Sequence, residues 1–144
     1  ATEVRMEKVC PVVCRETSSG WQVLGFIHPS AGKQFVKGTV EQGETLEDAA
    51  KRELEEESGL IVGSRMIFLG TSLIGPGSVS WHFFGHLEKS LPDSWDHVTT
   101  DDHGHTFSYF WHPLEQPLGG DWHVTFHEAF AFFCPRLRQL GWGL

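Results

Sequence analysis

The stretch from Thr45 to Ser58 constrains this chain more than any other. It has helical periodicity, with Thr45 placed as an N-cap, Asp48 three residues on, and Gly59 placed for a left-handed C-terminal cap. At about 100° per residue, Leu46, Ala49 and Ala50 fall within about 60° of Glu53, and so do Glu56 and Glu57. One stripe therefore begins apolar and ends in carboxylates, on the side expected to face the protein. The other side carries Glu47, Asp48, Lys51 and Glu55, spaced for i,i+4 ion pairs on a solvated face. An inward triplet of acids is harder to accommodate, because like charges repel and burying one unpaired is costly. A hard divalent cation resolves this, since Mg²⁺ takes oxygen ligands and is shared between one or two carboxylates and substrate phosphates. Eight acids stand against two bases between Gly38 and Leu60, a net charge of -6 in a chain whose total is -8. On geometry alone, a solvated acidic helix end remains the other reading.

The remainder reads as strands followed by a second helix. Strands are expected at Val9–Cys14, Trp21–Ile27, Met66–Leu73, Val79–Leu87 and Phe107–Trp111, separated by Gly, Pro, Ser and Asp clusters. Pro11 is expected to confine the first of these to a sheet edge or a bulge. From Trp122 to Leu140, residues Phe126, Phe130, Phe133, Leu137 and Leu140 recur at spacings of three and four, a core-facing helix that Pro135 is expected to kink or divide. The pattern predicts an α/β layered fold, and 144 residues predict one domain, 1–144, with a single core. Cys10, Cys14 and Cys134 form no paired framework and are expected as buried, reduced thiols.

Charge and hydropathy exclude several roles. A net charge of -8 disfavours binding of long nucleic acid. The longest apolar run, Ala129–Cys134, is six residues, too short to span a membrane. The first residues show no apolar signal-type stretch, so a cytoplasmic location is expected.

Gly38, Glu44, Arg52, Glu53, Leu54, Glu56, Glu57, Gly59 and Leu60 fill all nine fixed positions of a pattern that resembles the Nudix box of the Nudix hydrolase (MutT-like) family. The resemblance implies that family's α/β/α sandwich, with a central mixed sheet, the motif helix and a C-terminal helix. It also implies Mg²⁺-dependent hydrolysis, with Mn²⁺ as the other candidate ion, of a nucleoside diphosphate linked to another group. By position, Glu53, Glu56 and Glu57 resemble the metal carboxylates, and the Gly38 carbonyl a further metal ligand. Arg52 resembles the residue that holds the carboxylates in place, and Glu44 a supporting group. The resemblance further implies that one carboxylate, most often the first of the triplet but varying across the family, orients or deprotonates the attacking water. Arg suits the holding role because its planar fork grips a carboxylate bidentately, as Lys does not.

Substrate recognition lies outside the box. Lys37 resembles a Lys of the dinucleoside polyphosphate branch and is a candidate for an outer phosphate, although Val36 stands where that branch has Pro. Trp81, Phe83 and Tyr109 are candidates for stacking on a base. Glu88 is a candidate for the extra carboxylate that the family often uses beyond the box, beside Asp93, Asp96, Asp101 and Asp102. His103, His105, His123 and His127 come nearest to zinc-ligand spacing, without a third ligand spaced to match. The expected activity is pyrophosphohydrolysis of a small nucleotide, a dinucleoside polyphosphate or (deoxy)nucleoside triphosphate. The alternative is a catalytically silent Nudix-fold module that senses nucleotide or binds protein. The sequence allows a homodimer without requiring one.

Overall fold

The structure is a computed structural model that describes residues 6–100 and 104–143. Its eight strands are β1 (Glu7–Thr17), β2 (Gly20–His28), β3 (Gly32–Gln34), β4 (Gly38–Thr39), β5 (Ile67–Ile74), β6 (Val79–Leu87), β7 (Trp95–Val98) and β8 (Thr106–Pro113); the helices are α1 (Leu46–Ser58) and α2 (Val124–Gln139). The strands form one mixed sheet ordered β5-β6-β1-β2-β8-β7, with β3 on β2 and β4 on β1. Among the described strands, the β1–β6 pairing is parallel and the others antiparallel; α1 lies in the crossover between these two strands.

The sheet divides the apolar interior in two, which corrects the expectation of a single core. On one face, Cys10, Val12, Cys14, Trp81 and Phe83 meet Phe126, Phe133 and Leu137 of α2. On the other, Val9, Val13, Phe26, Phe84 and Tyr109 meet Ala49, Ala50 and Leu54 of α1. The alternation along β1 and β6 causes this, because residues i and i+2 share a face.

Two proline expectations are revised. Strand β1 is central, between β6 and β2. Glu7 turns its carbonyl to Val40 beside β4, and alternation makes Pro11 face the same side. There the β4 pairing ends at Val9 and the β2 pairing begins at Cys14, so Pro11 falls where no ladder bond is required. Helix α2 runs unbroken through Pro135. Both Pro135 and Ala131, whose carbonyl loses its helical donor, are on the solvent side, so water can serve that oxygen. Among the described residues, no helix is long and apolar enough to cross a membrane.

Candidate active site

Helix α1 is fixed at both ends. Thr45 accepts a bond from the Asp48 amide at 3.1 Å, and Gly59, with φ 80°, gives its own amide to the Glu55 carbonyl at 2.8 Å. The three carbonyls after Glu55 also find donors, although the last turn of α1 itself holds no basic residue. Nε2 of His97 lies 3.2 Å from the Glu56 carbonyl, the Tyr109 hydroxyl donates to Glu57 at 2.6 Å, and the Trp95 indole donates to Ser58 at 3.1 Å. A helix end normally leaves these carbonyls without helical donors. Here side chains of β7 and β8 hold the turn that carries Glu56 and Glu57.

The apolar part of the α1 stripe seats Ala49, Ala50 and Leu54 in the core, and Glu53 is carried inward with them to 7% exposure. Glu56 and Glu57 are half-buried. The three acids line a cavity of about 450 Å³ with Lys8, Lys37, Gly38, Thr39, Glu41 and Arg52. Arg52 organises its charge. It grips Glu44 bidentately, Nε to Oε2 at 2.6 Å and Nη2 to Oε1 at 2.9 Å. Nη1 reaches Glu53 at 2.9 Å and Glu56 at 3.3 Å, and Nη2 also donates to the Thr39 carbonyl at 3.0 Å. Glu44, and after it Glu53, raise the Arg52 pKa further, and Arg52 in turn holds the Glu44 carboxyl below its ordinary range. Glu44 also accepts from the Glu41 amide at 2.9 Å, which ties the loop to the helix.

Gly38 explains why the loop can come so close. A Cβ there would stand 1.9 Å from the Glu53 carboxyl carbon, so only glycine admits the carboxylate against this backbone. The donor set suits a hard cation, with the carboxylates of Glu53, Glu56 and Glu57 on a shared wall beside the Gly38 backbone. Among the described residues, no three His, Cys, Asp or Glu side chains already form a metal-holding group. Mg²⁺ does not demand one, because water and substrate oxygens complete its shell.

The substrate candidates scatter. Lys37 lines the cavity, its ammonium 5.6 Å from the centre of the Trp81 ring. Trp81 is 4% exposed and Phe83 fully buried, both packed under α2, which leaves no Phe83 face open to a base. Tyr109 is 1% exposed and stacked on Trp95, so its role is at the helix end rather than against substrate. Glu88 follows Leu87, which pairs with Cys14, six residues or about 20 Å along β1 from Lys8. It meets His86 instead, at 3.4 Å. Asp93 pairs with Arg15 at 2.9 Å. His123 caps α2, His127 contacts the Gly119 carbonyl and His105 packs on His28. Asp101, Asp102 and His103 lie outside the described residues.

Sequence reasoning missed Lys8, Thr39 and Glu41 in the cavity, and His97 and Trp95 at the helix end. No local pattern marks them, since β4 is two residues long and Lys8 lies just ahead of the apolar stretch by which its strand is read.

The architecture of a mixed sheet between two helices, with this box lining a cavity, defines a class, and the comparisons name it. A model of the NUDIX domain matches residues 9–131. The chain belongs to the NUDIX domain family. It is 44% identical over 68 residues to the oxidized purine nucleoside triphosphate hydrolase of Mus musculus, a match spanning 47% of this chain and 36% of that protein. The fold is similar to a MutT/nudix family protein from Enterococcus faecalis, with a TM-score of 0.73 at 17% identity, over 96% of this chain and 64% of that one. It is also similar to the Ap4A hydrolase of C. elegans, with a TM-score of 0.60 at 19% identity, over 96% and 97% of the two chains.

Proposed function

We propose that this chain is a Mg²⁺-dependent pyrophosphohydrolase of a small nucleotide, a nucleoside diphosphate linked to another group. Dinucleoside polyphosphates and (deoxy)nucleoside triphosphates are the leading substrates. One observation carries the reading: Glu53, Glu56, Glu57 and Gly38 line a single cavity, with Arg52 bonded to two of those acids. The mouse relative is named for a nucleoside triphosphate and the nematode neighbour for Ap4A, both small nucleotides with a phosphate chain. The first match spans only 36% of the mouse protein, so activity and substrate come to this chain as proposals.

Glu53, Glu56 and Glu57, with the Gly38 carbonyl, are the groups that would hold Mg²⁺ or Mn²⁺. Such an ion, when bound, neutralises charge on phosphate oxygens and makes a water nucleophilic near neutral pH. Arg52 fixes the Glu53 and Glu56 rotamers, and Glu44 fixes Arg52. A carboxylate of the triplet, Glu53 first, takes the proton of the attacking water. Attack at one phosphorus breaks the phosphoanhydride bond and releases a nucleoside monophosphate-type product. One Nudix domain over 1–144 and a cytoplasmic location belong to the same proposal.

The test is a nucleotide panel with Mg²⁺ and with Mn²⁺, the products identified by mass spectrometry. Metal-dependent monophosphate release is expected. No turnover across the panel would overturn the hydrolase reading in favour of the silent module.

A further inference from the structure

The main sheet ends in β5 on one side and β7 on the other, and the two edges are built differently. Strand β7 is four residues long and carries Asp96, the short and charged form by which edges resist pairing. Strand β5 runs eight residues, with no charge and no proline, and is paired to β6 on one side. Phe68 and Leu73 stand 54% and 62% exposed on it, and Ile67 is exposed beside them. An edge of this length and composition is a template for another strand.

The strand itself says which one. A bulge shifts the register between Phe68 and Gly70. Residues five apart on a regular strand face opposite sides. Here Phe68 pairs with Phe84 and Leu73 with Ser80, four apart on β6, so both face the α1 side. With Leu69 and Gly70 together opposite one residue, as a bulge allows, β5 becomes symmetric about Thr71. An antiparallel copy then sets Ile67 opposite Ile74, Phe68 opposite Leu73 and Thr71 opposite Thr71, each pair on a common face. A groove of about 430 Å³, lined by Met6, Leu73 and the turn at Gly77 and Ser78, lies beside the last residues of β5, at the far end from Phe68. Antiparallel pairing brings each Phe68 to the rim of the groove on the other copy, so that projection and hollow exchange across a two-fold axis. Met6, Ile67, Phe68 and Leu73 together expose on the order of 400 Å² of apolar surface in each copy. Two such patches, with the paired backbone edges, reach the roughly 1,000 Å² that a specific interface needs. We propose that two copies of this chain associate through antiparallel β5–β5 pairing, which joins their sheets into one. No residue lining the active-site cavity lies on β5, so this interface is separate from the cavity.

Sedimentation equilibrium of the intact chain, from low to high micromolar, tests the pairing. The wild type is expected to reach the dimer mass. Phe68→Glu and Leu73→Glu place a charge in the interface, at positions exposed in the single chain. Each is expected to raise the dimer dissociation constant at least about tenfold, with circular dichroism unchanged. Phe68→Lys combined with Leu73→Glu in one chain is expected to recover the dimer, because opposite charges then face each other across the axis. Amide exchange over residues 67–74 of the wild type is expected to quicken on dilution, a readout that needs no variant. A wild type that stays monomeric at high concentration would overturn the proposal and leave the edge to a different chain. A dimer that persists in both Glu variants would place the contact elsewhere, and β5 exchange independent of concentration would do the same. A combined variant as monomeric as the single ones would overturn the two-fold register.

Discussion

Glu53 is the most enclosed acid of the triplet, with a glycine backbone on one side and a guanidinium on the other. Gly38→Ala should therefore push the Glu53 carboxylate off its seat while leaving the sheet intact. Turnover is expected to fall by about 10- to 100-fold, because a small misplacement near the chemistry is that costly. Circular dichroism should be unchanged, and wild-type rates in the variant would sink the argument. Glu56→Gln keeps size and removes charge. It is expected to lower turnover by at least about 100-fold through weaker cation binding. A rate restored to wild type at saturating Mg²⁺ would remove Glu56 from direct contact with the ion.

At the scale of the element, α1 is held by its neighbours more than by its own composition. Its last turn contains no basic residue, so donors from β7 and β8 do what a Lys or Arg often does. Tyr109→Phe deletes one of these donors and should cost about 1–2 kcal/mol of stability, read from urea unfolding. At the other end, the Glu44–Arg52 pair links loop to helix, and its sign with pH follows from the depressed Glu44 pKa. Its stabilisation is full above the ordinary carboxyl value of 4.5 and is lost as pH falls through the lower folded value. The wild type should thus lose more thermal stability than Glu44→Gln between about pH 5 and pH 3. Parallel curves would show that the pair contributes nothing to folding. Both caps of α1 were legible because Thr45 and Gly59 act within their own helix. The Tyr109 hydroxyl was not, because its partner, Glu57, lies on an element joined to it only by folding.

Across the whole molecule, the sheet buries reactive groups as well as apolar ones. Cys10, Cys14 and Cys134 are all reduced and buried in the structure. Burial pushes the first two thiols far up and Cys134 up to about 12, so none is a thiolate near neutral pH. A thiol reagent should label none of the three in the folded protein and all three in denaturant, so that labelling reports global unfolding. Fast labelling of any one without denaturant would contradict the packing of the α2 face.

Periodicity and punctuation determined, from sequence alone, the motif helix, the inward set of carboxylates and the mixed α/β class, and the spacing of the family's box marked the Arg that ties them. Each of these depends on spacing along one element, which chain geometry sets before any packing. Tertiary structure alone decided the rest. It placed β1 at the centre of the sheet despite Pro11, put Phe83 and Tyr109 in the interior, and set Glu88 at the far end of β6. It also brought Lys8 and Lys37 to the cavity wall. Those placements depend on strand order and register, and a two-residue periodicity says which residues share a face without saying which strand lies beside them.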